Sequence, residues 1–559
     1  MKHRHRRQHR SAAYGMESHP VENAENRGDS SVDSELSQAE PIRHRHRRPD
    51  RSRSEEYGVT GKRVAVIGGG VAGLATAARL STRGYKVDLL EAGPETGGKM
   101  RDYRSDGFRF DGGPSLFTLP EVMEQLFTDC GKKMSDYVHY DRLDLVTRYF
   151  YTDGTQLNAW SQPGRLATEM EQKIGEPAQQ VLAFLKRASF IYRITAPVFI
   201  KRSLHDWRNL LRPTTFLRLL AIPRLGIFTS MHRFQKRWLS HERSLQLFGR
   251  FATYNGSDPY RAPGTLSMIA HIEQECGAYY PRGGMVALRD ALHQLALDLG
   301  VNVRVSTRVD QLWIHETRLK GLLVGEDREI YPIVVCANDI LQVQRKQLPR
   351  KYRRSRFQLQ ELSTSAVVFH WAVLGVFPQL DLHNVFFSSH YRREFQYLQR
   401  GDIDIDPTWY VYISSKKNST DAPDGYENWF VMANVPARRE LPSEELLDRL
   451  RQDAMDRIGQ AVGVDLRPLI EEKRVLTPIE MERATGAVGG ALYGPASNSR
   501  CSAFLRQANR DRRIKGLFYC GGTVHPGGGI PLCLHSAAIT ADLVERGHPH
   551  PKATRKHQR

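Results

Sequence analysis

Apolar and polar positions change period several times along this chain. Arg63-Val64-Ala65-Val66-Ile67 is a short continuous apolar run closed by Gly68, the pattern of a strand buried on both faces of a parallel sheet. Val71 to Ser81 then reads as a helix with alanines at close-packing positions, and Tyr85 to Leu90 as a second strand ending at Glu91. Together they form a β-α-β unit of about 30 residues. The style returns later. Leu288, Leu292, Leu295 and Leu299 recur at helical spacing, and strands are expected at 301–305, 309–314, 319–324 and 330–336. Between these, 131–280 reads as mostly helical and apolar-basic, and 357–436 alternates as strands do. Residues 515–546 close with a strand, a Gly-rich turn and a helix.

Composition bounds the setting. At 559 residues the chain exceeds one ordinary core, so two domains are expected. Residues 1–57 are poor in apolar groups and rich in Ser, Glu, Arg and His, a solvated tail, and 549–559 form a second basic tail. His-Arg-His-Arg-Arg occurs at 3–7 and again at 44–48. A solvated tail accounts for it better than metal or nucleic-acid binding. The six cysteines are scattered without a C-x-x-C pair, which argues against a disulfide scaffold or structural zinc and for a reducing cytoplasm. No metal-ligand cluster is visible. The basic start lacks an apolar h-region, and no apolar run approaches the roughly 18–20 residues that span a bilayer.

Charge is uneven. The net charge is +19, and residues 181–250 hold fourteen Lys or Arg against only Asp206 and Glu242. The same window carries Phe199, Trp207, Phe216, Leu219, Leu220, Ile227, Phe228 and Trp238. Basic and bulky apolar residues interleaved in this way suit peripheral attachment to an anionic membrane. A solvated basic surface over a core is the alternative. Specific nucleic-acid binding is not expected, because no recognised motif accompanies the charge.

Gly68-Gly69-Gly70-Val71-Ala72-Gly73 satisfies G-x-G-x-x-G between a strand and a helix, the context that the chemistry requires. Gly68 permits the tight turn, Gly70 a close backbone approach to a pyrophosphate, and Gly73 close helix–strand packing. The first helical turn, with Val71 and Ala72, then presents its positive end to the phosphates. Glu91 ends the second strand, where a carboxylate can accept from ribose hydroxyls. The following Ala92 to Arg101 segment adds the Gly97-Gly98 pair and the cations Lys99 and Arg101. Such a loop can wrap a pyrophosphate and favours bound FAD over an exchanging nicotinamide cofactor. The expected fold is α/β: a Rossmann-type FAD domain assembled from 58–130, 281–350 and 470–548. A mixed α+β substrate and membrane-associating domain, from 131–280 and 351–469, is inserted into it.

Three more motifs accompany that loop: Phe108 to Ser115, Tyr280 to Met285, and Tyr519 to Pro531. With them the chain resembles the bacterial-type phytoene desaturase family of the FAD-dependent amine oxidase superfamily, over about 62–545. Phe108-Arg109-Phe110-Asp111-Gly112-Gly113-Pro114-Ser115 looks like the family's F-x-x-D-x-G-P turn. His525-Pro526-Gly527-Gly528-Gly529-Ile530-Pro531 looks like the H-P-G-x-G-(I/V)-P signature of carotenoid desaturases and oxidases. The resemblance implies that FAD meets Gly113, Pro114, Ser115, Gly521, Gly522, Gly529 and Ile530, with the backbone near Val309 at the adenine. Lys99 stands where many relatives have Arg, and Gly522 where amine oxidases place Asp. The second departure is shared by carotenoid enzymes. The long Gly527–Cys533 form looks more like hydroxycarotenoid 3,4-desaturases and end-group oxidases than standard phytoene desaturases.

The implied activity is desaturation of an acyclic carotenoid, with a quinone or oxygen reoxidising the flavin. An end-group oxidase or ketolase, or a flavin amine or porphyrinogen oxidase, would share the cofactor site. No triad or paired carboxylates are visible. His525, the one titratable residue in the terminal motif proper, is a weak acid/base candidate and reads rather as shaping the loop.

Overall fold

The computed structural model describes residues 62–549, apart from 204, 207, 209–212, 214–220, 358, 359 and 500–505. Both terminal tails, save Pro549, and Trp207, Phe216, Leu219 and Leu220 of the basic window lie outside the described residues.

A five-stranded parallel sheet organises the first layer. Its order is Asn302–Arg304, Lys86–Leu90, Arg63–Ile67, Ile333–Cys336 and Leu517–Tyr519. The continuous apolar runs follow from cover on both faces. On one side Val64, Val66 and Leu89 pack against the helices Val71–Thr82, Val286–Asp298 and Ile530–Gly547. On the other, Ala65, Ile67 and Val334 meet Leu312, Leu319 and Leu322 of a three-stranded antiparallel meander, Gln311–Ile330. The meander corrects the expected single strand at 330–336. Ile330 ends one hairpin strand (Asp327–Ile330), and the sheet strand begins only at Ile333.

A seven-stranded mixed sheet forms the second layer, in the order Ile470–Leu476, Ser365–Leu374, Tyr426–Val435, Trp409–Ile413, His383–Phe386, Leu145–Phe150, Gln156–Trp160. One face, with Phe369, Trp371, Trp409 and Trp429, is covered by the helix Glu444–Val462. That helix is well bounded. Ser443 Oγ accepts from the Leu446 N–H at 3.2 Å, Glu444 and Glu445 occupy the first turn, and Gly463 closes it at φ 79°. The opposite face carries Val368, Tyr412 and Phe430.

Three further segments differ from the sequence expectation. Within 131–280, strands occupy Tyr140–Arg142, Leu145–Phe150 and Gln156–Trp160 before the helices begin at Pro163. Leu145–Phe150 is held as a strand by pairing with Gln156–Trp160 and the remote His383–Phe386, and a turn at Gly154 with φ 82° closes the hairpin. Within 357–436, Tyr391–Arg400 is a helix that buries Tyr391 and Phe395 one turn apart. Ile470–Leu476, expected in the nucleotide domain, pairs antiparallel with Ser365–Leu374 in the second sheet.

Candidate functional site

The Gly68 loop closes the first strand as its pattern requires. Gly68 has φ 100°, and a Cβ on Gly73 would overlap the Gly68 carbonyl oxygen, so helix and strand touch through backbone alone. Gly70 is different: the atom nearest to a Cβ there is Gly98 Cα at 3.8 Å. Glu91 Oε2 accepts from the Gly69 N–H at 2.7 Å and Oε1 from the Gly93 N–H at 2.8 Å, which ties the two loops together.

These loops line one cavity of about 1220 Å3. It receives Gly68, Gly70, Val71, Ala72, Glu91, Ala92, Gly98, Lys99, Gly113, Pro114, Ser115 and Val309, and from the chain's far end Gly521, Gly522, Gly529 and Ile530. Gly73 stands behind the wall, packing the helix. No side chain caps the N-terminus of Val71–Thr82 or of Ile530–Gly547, and both open on the cavity. Gly529 precedes the second helix at φ 105°, a conformation that favours glycine. Two uncapped helix starts and a glycine-lined wall suit a dinucleotide diphosphate. The volume exceeds the roughly 300–1,000 Å3 usual for one small ligand, which leaves room for a second molecule. The residues present fit FAD.

The cations behave differently from one another. Lys99 Nζ donates to the carbonyls of Ala491 (2.8 Å) and Leu492, and burial pulls its pKa down despite the nearby Asp339 carboxylate. Arg101 donates to Gly98 O (3.0 Å) and Ala484 O (2.8 Å). Both therefore brace the cavity wall through backbone carbonyls. His525 does not line the cavity. It is buried with Nε2 2.7 Å from the Arg202 carbonyl oxygen, and burial lowers its pKa to about 4.

Several site residues carried no sequence signal. Arg506 is buried and donates to the carbonyls of Gly522 (3.1 Å), Tyr493 (3.1 Å) and Pro495 (2.9 Å), holding the terminal glycine loop. Burial pulls its pKa down to about 10. Arg109 of the F-x-x-D-x-G-P turn lies between Asp111 (2.8 Å) and Asp421 (2.7 Å), while Tyr412 donates to Asp111 at 2.9 Å. This buried network fastens the turn to the second sheet. Beyond the turn, Val368, Phe430 and Met432 of that sheet line the cavity beside Ile269 and Ile272. A polar group made of Arg250, Glu273, His383 and Tyr410 lines it as well. Arg250, one of the fourteen cations of the basic window, is thus interior rather than part of a charged surface.

A parallel sheet whose loops build this cradle defines an FAD-dependent oxidoreductase. Residues 71–544 match the family described as flavin containing amine oxidoreductase. The chain is 38% identical over 484 residues to a 1-hydroxycarotenoid 3,4-desaturase of Flavobacterium sp., covering 86% of this chain and 99% of that protein. It is 31% identical over 491 residues to a 4,4'-diaponeurosporene oxygenase of Staphylococcus aureus, covering 86% and 98%. Among solved structures, a putrescine oxidase superposes with a TM-score of 0.59 at 14% identity over 87% of this chain and 99% of that one, a likeness of fold. The chain belongs to the flavin-containing amine oxidoreductase family, on its carotenoid desaturase branch.

Proposed function

We propose that this enzyme desaturates an acyclic carotenoid in carotenoid biosynthesis. The observation that carries the reading is the continuity of the dinucleotide cradle with a compartment lined by Val368, Phe430, Met432, Ile269 and Ile272. An apolar compartment beside a flavin suits a hydrocarbon chain. FAD supplies the two-electron acceptor when bound. This chain's part is to hold FAD through the Gly68, Gly98, Gly113 and Gly522 loops, align the polyene along the second sheet, and keep water out. In this reading the FAD domain comprises 58–130, 281–350 and 477–548, with the second sheet and its helices as substrate domain. Electrons leave to a quinone or oxygen.

Peripheral membrane attachment belongs to the same reading. No helix among the described residues is long and apolar enough to cross a membrane. The cavity wall includes Tyr192, Ala196, Ile200 and Lys201, which lead into the basic stretch. Exposed Lys186, Arg224, Arg233, Lys236 and Arg237 share that region with Phe228, 65% exposed. A substrate nearly insoluble in water would enter from lipid there.

The test is incubation of purified protein, FAD and membranes with acyclic carotenoids. Each new conjugated double bond moves absorption to longer wavelength. A flavin-loaded protein that leaves every acyclic carotenoid unchanged, with quinone and oxygen supplied, would defeat the proposal. End-group oxidation is the second reading, favoured by the similarity to the staphylococcal oxygenase. Oxygen in the product separates the two.

A further inference from the structure

We propose that Arg308, Arg345, Lys346, Arg439 and Arg483 form a cationic entry that draws the anionic cofactor into the cradle, at the end of the cavity away from the substrate mouth. The inference rests on the FAD cradle and, for the second mouth, on the lipid-facing entrance of the proposed function. All five residues line the cavity. Arg308, Lys346, Arg439 and Arg483 are exposed and Arg345 is half-buried, so the cavity reaches solvent among them. Hydrogen bonds fix where this rim lies. The Ser306 N–H donates to Gly93 O and the Thr307 N–H to Glu91 O, both at 2.7 Å, which sets Arg308 beside the loop that follows the second parallel strand. Gln347 Nε2 donates to Val309 O at 3.0 Å, so the turn bearing Arg345 and Lys346 closes on the same place. From another segment, Arg101 joins Gly98 O (3.0 Å) to Ala484 O (2.8 Å), next to Arg483. This is the Glu91 and Val309 end of the cradle. The lipid-facing mouth belongs to the other end: Lys201 adjoins Arg202, whose carbonyl oxygen lies 2.7 Å from His525 Nε2 of the terminal glycine motif.

Charge at this rim is one-sided. Glu482 answers Arg439 at 3.0 Å, Glu91 accepts from two backbone N–H groups, and Asp339 caps the helix that starts at Ile340. Among the described residues no carboxylate forms an ion pair with Arg308, Arg345, Lys346 or Arg483. A hydrocarbon substrate gains nothing from such a rim, whereas FAD carries its negative charge on the diphosphate. Lys99 and Arg101 are turned to wall carbonyls, so the long-range pull on that diphosphate falls to the rim. A cleft lined by one sign of charge focuses the field and raises association rates by about 10- to 1,000-fold, an effect that salt screens. With the two mouths at opposite ends, flavin can enter while the other mouth rests on lipid.

The test is FAD uptake by the full-length apoprotein in stopped flow, read from flavin fluorescence. Arg308, Lys346 and Arg483 are changed together to Glu in one variant and to Gln in a second, and melting curves check that both remain folded. At low ionic strength the Glu variant should take up FAD about 10-fold more slowly than wild type, with the Gln variant between them. The difference should shrink as salt rises, and dissociation should change less than association. Excess anionic vesicles should leave the wild-type rate unchanged once sedimentation shows the enzyme bound. Equal association rates in wild type and both variants at low salt would overturn the entry while leaving FAD binding and desaturation standing. Vesicles that stop FAD uptake would assign the cationic rim to lipid and overturn the separation of the two mouths. Wild-type protein that ignores vesicles would remove the lipid-facing mouth alone, and the charge-reversal rates would still decide the entry.

Discussion

Gly73→Ala offers a severe test of how the cofactor cradle is built. Alanine in a helix gains about 0.8–1.0 kcal/mol over glycine in intrinsic propensity, so the substitution starts with an advantage. Here the new methyl would overlap Gly68 O and lie 3.1 Å from the Gly68 carbonyl carbon and 3.2 Å from Ala337 Cβ. Gly68 is itself held, its N–H donating to Leu90 O at 2.8 Å. Relief therefore requires the helix Val71–Thr82 to retreat by on the order of 1 Å, at the usual overpacking cost of about 1–3 kcal/mol. Ala75, Ala77, Ala78 and Leu80 of this helix are fully buried, so the shift propagates into the core. Steric cost outweighs propensity, and the helix start withdraws from the cavity. We expect lowered thermal stability together with loss of bound flavin, read from the visible spectrum and a melting curve of purified protein. Gly70→Leu should behave otherwise, because a Cβ there meets nothing closer than 3.8 Å. It should leave the apoprotein's melting temperature near that of wild type and still abolish flavin retention. A normal yellow spectrum in Gly70→Leu would refute this loop as the cofactor site. A wild-type melting curve in Gly73→Ala would refute the backbone contact.

Arg109→Met should destabilise by about 3–5 kcal/mol, since it leaves two buried carboxylates without their cation. Burial already holds Asp111 above the usual carboxylate range, so the variant should recover stability as pH falls and Asp111 takes up a proton, a trend that urea titrations at several pH values would show. Glu394 is buried against Thr408 Oγ1 (2.7 Å), with its pKa pushed by burial to about 7. Its folded pKa lies above the unfolded value of about 4.3, so its contribution is present at low pH and lost as pH rises through 7. Glu394→Gln should flatten that decline by up to on the order of 3 kcal/mol, and an unchanged pH profile would contradict it. Membrane attachment predicts vesicle binding that rises with anionic lipid and falls partly with salt. It should weaken by on the order of 1 kcal/mol for each of Arg224, Arg233, Lys236 and Arg237 changed to Glu. Equal sedimentation of the fourfold variant would mean that the basic stretch is only a solvated face.

The parts of the site that were legible in the sequence are those where backbone geometry demands glycine. Gly68, Gly73, Gly521 and Gly529 each answer a tight approach or a positive φ, and such demands leave a local signature. The first parallel strands were legible for a related reason, since burial on both faces removes polar residues from the run. The second sheet was less so. Leu145–Phe150 is interrupted by Thr147 and Arg148, and its pairing partner His383–Phe386 is remote in sequence, so its strand character is fixed by tertiary neighbours. Tyr391–Arg400 did carry a helical signal, in the spacing of Tyr391, Phe395 and Leu398, but the strand-like stretches around it concealed it. Arg250, His383 and Arg506 were illegible because a buried polar residue has no period. Arg250 in particular sits among surface cations that look the same on paper.

The order of the parallel sheet bears on how the protein is made. The edge strand Leu517–Tyr519 and the helix Ile530–Gly547 lie more than four hundred residues after the Gly68 loop, yet they complete the same cradle. At translation rates of about 5–20 residues per second, the first half of the cradle waits roughly 20–90 s for the second. During that interval the helix Val71–Thr82 lacks the neighbour that covers it, and once Ile333–Cys336 is made its outer edge stays open until Leu517–Tyr519 arrives. A cofactor that touches both halves of the cradle meets its full set of contacts only after the second half has been made. Once the ends have come together, binding stabilises the folded chain by mass action. Supply of flavin in the cell is therefore coupled to the yield of folded protein as well as to its catalysis.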